Sequence, residues 1–194
     1  MHVQHNATSP PISASQVFDC STDELWTLIS AAGNLNDAHP FCKSNDALVW
    51  DGETHRDRLV YLNGRTYVRE FQTWRPGEGY TLLIGEEGGA QSYVVWTIEA
   101  TEKGGSRLTI TVHPYLLANL PSVVAFLPYR LWIRPKLQRY LRSVVGGFAH
   151  VASTGEAVPR NHFGRHSWFS SKLHRRSSKA FSIRHTALQT VPST

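Results

Sequence analysis

The chain has 194 residues, 41% of them hydrophobic and 18% charged, which suffices for one domain with a sizeable core and excludes a fibrous or wholly disordered polypeptide. Its net charge of +5 is uneven: residues 1–154 carry 13 Lys and Arg against 14 Asp and Glu, whereas residues 155–194 carry 7 against 1. The high pI therefore describes the C-terminal tail rather than the folded part.

Residues 1–11 are polar, with no apolar core of a secretory signal, and are expected to be a disordered N-terminus. Two cysteines, Cys20 and Cys42, are too few for a disulfide framework or a metal cluster, so buried free thiols in a reducing cytoplasm are expected. Ile12 to Cys20 alternates apolar and polar residues as a strand does. Ser21 and Glu24 have capping-box spacing at the start of a short helix containing Leu25, Trp26, Leu28 and Ile29, which Gly33 stops. A second helical turn around Asn34–His39 ends at Pro40.

Strands follow at Ala47–Trp50, His55–Leu62, Arg65–Arg75, Tyr80–Glu86, Gln91–Thr101 and Arg107–Val112. Glycine turns separate them, and Asn63-Gly64 is a hairpin signal; no connection is long enough for a parallel crossover, so the strands are expected to form an antiparallel meander. Val94, Trp96 and Ile98 share one face, as do Leu108, Ile110 and Val112, so one side of the sheet is dry. Tyr115 to Ile133 is apolar, but Pro121, Pro128 and Arg130 interrupt it; an irregular lid or interfacial segment fits better than a membrane span.

From Lys136 to Ala152 the chain returns to a 3.6-residue period through Leu137, Tyr140, Leu141, Val144, Val145, Phe148 and Val151. Burying these side chains is worth roughly 10–20 kcal/mol before conformational entropy is set against it. The helix needs an apolar surface, and the sheet supplies one. Gly146-Gly147 within it marks either cavity volume or close packing. Residues 155–194 form a Ser/His/Arg-rich basic tail, expected to be mostly disordered, although Phe163, Trp168 and Phe169 leave docking of Asn161–Ser170 on the body open.

This order resembles the START-like, helix-grip superfamily (SRPBCC), and within it the polyketide cyclase/dehydrase-like branch. Ser21-Thr22-Asp23-Glu24-Leu25-Trp26 resembles the family's start of the first helix, and Ala38-His39-Pro40 falls where the second often ends in Trp and Pro. Val68-Arg69-Glu70 resembles a strand motif, as does Trp96-Thr97-Ile98-Glu99 followed by Gly104-Gly105-Ser106-Arg107-Leu108-Thr109. The resemblance covers residues 12–152, and residues 12–154 are assigned as the domain. It implies an α+β helix-grip (START-like) fold: a curved antiparallel sheet wrapped around a long C-terminal helix, with two short helices after strand 1 and a hydrophobic cavity between sheet and helix. His39 in place of the usual aromatic departs from the pattern.

The expected cavity wall comprises Val68, Trp74 and Ile84, then Val94, Trp96, Ile98, Ile110 and Val112 from the last two strands. Phe126 and Trp132 would join it from the lid, and Leu141 and Val145 from the helix. Candidates for proton transfer are Glu70 if it faces inward, His113 at the end of the last strand, and Tyr61; each has a structural alternative, an ion pair of Glu70 with a nearby arginine among them. No metal site or cofactor is expected: no HxxxH, CxxC or carboxylate cluster has usable spacing, the tail histidines lie in sequence expected to be disordered, and no phosphate loop, GxGxxG or GxSxG pattern is present. The expected function is binding or transport of a small hydrophobic ligand such as a lipid, quinone or polyketide-like aromatic. A cyclase/aromatase-type enzyme using the same cavity, and a protein peripheral to membrane through residues 116–133 and the tail, are the alternatives. Nucleic acid is not an expected partner, and the sequence points to no obligate protein partner.

Overall fold

Seven strands form one antiparallel sheet in the order β1-β7-β6-β5-β4-β3-β2. They are β1 (Ile12–Phe18), β2 (Cys42–Asp51), β3 (Thr54–Tyr61), β4 (Thr66–Arg75), β5 (Gly79–Gly85), β6 (Gln91–Ala100) and β7 (Ser106–His113). The computed structural model describes residues 10–52, 54–115 and 127–171. Helices α1 (Thr22–Ser30) and α2 (Leu35–Ala38) follow β1, and a π-helical turn, Tyr129–Ile133, runs into the long α3, Arg134–Thr154. This is the expected α+β helix-grip arrangement.

The local signals explain most of these boundaries. Ser21 Oγ accepts from the Glu24 backbone N–H at 3.2 Å, and the Ser21 N–H donates to Glu24 Oε2 at 2.8 Å, closing the capping box of α1. Gly155, with φ of 71°, ends α3 in the left-handed conformation that glycine adopts without strain. β2 is longer than its Ala47–Trp50 pattern, because two register irregularities, between Cys42 and Ser44 and between Ala47 and Val49, erase the alternation.

Two irregularities decide what faces the concave side. The β3–β4 loop is three residues long, Leu62 to Gly64, because Tyr61 N–H donates to Arg65 O at 2.8 Å. The two-residue Asn63-Gly64 turn would set Asp57 against Glu70 and Arg58 against Arg69. The observed register pairs Asp57 with Arg69 and Arg56 with Glu70, replacing two like-charge contacts by two opposite ones. A bulge between Phe71 and Thr73 then moves Trp74 onto the face of Tyr67, Arg69 and Phe71. Trp74 therefore gives no guide to the phase of Val68 and Glu70, which lie on the other face.

α3 packs on β1, β7, α1 and α2. Leu141, Val145 and Phe148 share one core with Trp96 and Ile110, and the Phe148 and Trp96 rings meet edge to face at 5.3 Å. The paired glycines serve close packing. A Cβ on Gly147 would lie 2.0 Å from the Ala38 carbonyl oxygen, and one on Gly146 would lie 2.9 Å from the Phe163 ring.

The folded body also runs past Thr154. Val158 N–H donates to Asp37 O, Asn161 N–H to Pro40 O and Asn63 N–H to Phe169 O. Phe169 is buried, stacked 4.2 Å from Tyr61. Residues 155–171 thus form a strap across α3 and the β3–β4 hairpin, held by these backbone hydrogen bonds together with the burial of Val158 and Phe169. For Asn161–Ser170 the docked alternative is the one observed.

Candidate functional site

Between sheet, α3 and strap lies a cavity of about 370 Å³, within the range of small-molecule sites. Leu82, Ile84, Val94, Trp96, Ile110 and Val112 form its sheet wall, and Leu137, Leu141, Val144 and Ile133 its helix wall. Trp168 and Phe169 of the strap close one side, with Tyr67, Arg65, Pro114 and Tyr115 nearby. Tyr67 sits between Arg65 and Tyr115, and burial, then Tyr115, pushes its phenol up to about 12.

One wall is polar. His39 Nδ1 accepts the Phe41 backbone N–H at 3.2 Å, which places the ring proton on Nε2. That N–H then donates to the Tyr140 hydroxyl at 2.9 Å, and the Tyr140 and Tyr61 hydroxyls bond each other at 3.0 Å. Burial, followed by the charge of Arg69, pushes the His39 pKa down to about 3, so the ring is neutral. Burial raises both phenols, Tyr61 further under the influence of Tyr140. Two O–H groups share one mutual bond, and the Tyr140 oxygen already accepts from His39. One phenolic proton is therefore left to donate to an oxygen in the cavity.

Behind the phenols stands Arg69. It is 2% exposed and Asp57 0%, and they meet in a bidentate pair, Nε to Oδ1 at 2.8 Å and Nη2 to Oδ2. Burial works against the arginine cation, but the Asp57 carboxylate outweighs it and the net shift is upward. Arg69 Nη2 also reaches Asn34 Oδ1 at 3.5 Å, and the guanidinium lies over the Phe71 ring. Thus α1's end, β3 and β4 are pinned together at the cavity's polar end.

The sequence-expected residues divide clearly. Ile84, Val94, Trp96, Ile110, Val112, Leu141 and Tyr61 line the cavity. Ile98 and Val145 are buried core beyond it. Trp74 packs instead in an aromatic cluster with Trp26, Trp50, His55 and Tyr80, its ring 3.8 Å from His55. Val68 and Glu70 face the opposite side of the sheet, and Glu70 pairs with Arg56 at 3.5 Å with its side chain 40% exposed. His113, of opposite parity to Val112, lies beside Tyr93 rather than at the cavity. Trp132 is 69% exposed, and Phe126 lies outside the described residues.

Arg69, Tyr140 and the strap aromatics are the site residues the sequence left unmarked. Arg69 had one usable signal, Asp57 across a charge-matched hairpin register. Among the described residues no carboxylate lines the cavity, and no group of His, Cys, Asp or Glu has the arrangement of a metal site. The Cys42 thiol is buried and pushed up to about 12, chiefly by that burial.

Fold and site together define an α+β helix-grip protein enclosing a mostly apolar cavity with one hydrogen-bonding wall. Solved structures share this fold. DynU16, a protein of the dynemicin biosynthetic locus, is 15% identical with a TM-score of 0.58, the match covering 77% of this chain and 49% of DynU16. TTHA0849 from Thermus thermophilus is 14% identical with a TM-score of 0.59 over 75% of this chain and 99% of that one. BexL, a di-domain ARO/CYC from the BE-7585A biosynthetic pathway, is 15% identical with a TM-score of 0.56 over 73% and 46%. This chain thus spans about half the length of DynU16 and of BexL. No family model matches the sequence, and no curated protein matches it. Among the described residues, no helix is long and apolar enough to cross a membrane.

Proposed function

We propose that this protein binds a small, largely apolar ligand bearing a hydrogen-bond-accepting oxygen, with the apolar part between the sheet and α3 and the oxygen at the Tyr61–Tyr140 hydroxyls. The carrying observation is the combination of an apolar cavity with one spare phenolic proton on its wall. A polyketide-like aromatic ketone or phenol has this chemistry, and the biosynthetic settings named for DynU16 and BexL favour that class. Carriage is favoured over cyclase chemistry because two of the three acid/base candidates, Glu70 and His113, lie off the cavity, His39 is neutral with its Nε2–H engaged, and burial raises the third, Tyr61, which favours a neutral phenol that donates a hydrogen bond.

Calorimetric titration with α-tetralone and its deoxygenated counterpart tetralin tests the reading. α-Tetralone should bind more tightly, and Tyr61→Phe with Tyr140→Phe, which removes both phenolic protons where either change alone leaves one free, should weaken α-tetralone by about three- to tenfold while leaving tetralin nearly unchanged. Val94→Phe, which fills the hollow, should weaken both. Equal affinity for both probes in the native protein and in the double variant would remove the hydroxyl wall from the binding site.

A further inference from the structure

We propose that the protein docks on anionic lipid bilayers through the exposed apolar turn that leads into α3. This surface stands independently of the ligand reading. Leu127 is 60% exposed, Leu131 58% and Trp132 69%, three large apolar side chains within six residues. Isolated exposed leucines are ordinary on protein surfaces, but a contiguous group with a tryptophan is not.

The helical phase separates two sides of the turn. Tyr129 and Ile133, four apart, face the body: Tyr129 is buried with its hydroxyl donating to Pro10 O, and Ile133 lines the cavity. Leu127 and Leu131, also four apart, face away. The wider π turn over Tyr129–Ile133 leaves Trp132 exposed beside Leu131.

Charge identifies the occupant. Residues 127–155 contain Arg130, Arg134, Lys136, Arg139 and Arg142 and no acidic residue, and all five basic side chains are exposed. Apolar side chains that include tryptophan, flanked by arginines, suit the boundary between headgroups and acyl chains, and a negative surface attracts the arginines. A second copy of this chain would bring the same positive charge to the contact, which disfavours self-association through this face. The seating would bring the bilayer beside Ile133, at the cavity wall.

The test uses the full chain in sedimentation with vesicles of phosphatidylcholine alone or with phosphatidylglycerol added. Partitioning should rise about fivefold for each basic residue that reaches the anionic surface, and fall steeply in high salt. Leu131→Gln with Trp132→Gln should lower it by at least about tenfold, with the urea midpoint and α-tetralone binding unchanged. Retained binding of this variant would assign the interaction to the basic tail and overturn the proposal. So would failure of the native chain to bind anionic vesicles, equal binding to both compositions, or a concentration-dependent dimer abolished by the double substitution. Because α-tetralone is titrated without vesicles, loss of one reading leaves the other standing.

Discussion

Replacing Asp57 by Asn removes the one carboxylate that satisfies Arg69. The guanidinium is 2% exposed and its side-chain hydrogen bond to Asn34 is long at 3.5 Å, so without Asp57 its buried charge keeps no anionic partner. Breaking a buried pair on one side costs about 3–5 kcal/mol. In a domain of this size that corresponds to a fall in Tm of roughly 6–20 °C. Removing both charges, with Asp57→Leu and Arg69→Met together, should recover most of the loss, because paired desolvation roughly cancels the Coulombic gain. Urea unfolding followed by tryptophan fluorescence measures both, provided the slope is unchanged between variants. If Asp57→Asn costs less than about 1 kcal/mol, or the double variant is no more stable than the single one, the pair is not the closed ionic unit described above.

Stability should also depend on pH through His39. Its folded pKa is depressed from 6.5 to about 3, so the unfolded chain takes up a proton that the folded chain refuses. The contribution is complete above about pH 6.5 and declines as pH falls towards 3, by about 1.4 kcal/mol per pH unit. His166, whose pKa is lowered mainly by burial, acts in the same direction. Urea midpoints between pH 6.5 and 4.5 check this, and a flat profile there would contradict a neutral buried His39. The two adjacent glycines of α3 should behave unequally. Gly147→Ala meets a backbone carbonyl and should lose about 2 kcal/mol or more. Gly146→Ala meets the far end of the Phe163 ring, and its gain in helix propensity of about 1 kcal/mol offsets much of the adjustment. Equal losses at the two positions in thermal unfolding would refute this account.

The sequence by itself determined the elements and their order. A capping box, glycine turns and a 3.6-residue apolar period act over a few residues, so Ser21, Gly64 and the Leu137–Val151 stripe can be read without knowing their distant neighbours. The dry faces of β6 and β7 were legible for the same reason, and Val94, Trp96, Ile110 and Val112 stand in the cavity as their alternation required. Only the tertiary structure decided the polar wall. One residue of loop length set which side of β4 turns inward and exchanged Glu70 for Arg69, and one bulge beyond Phe71 carried Trp74 to the same side. Tyr140 meets Tyr61 and His39 across 79 and 101 residues of chain, and Phe169 reaches Tyr61 from a segment whose aromatic residues left docking open without saying where. Such contacts depend on where whole elements pack, a property that no local pattern of residues records.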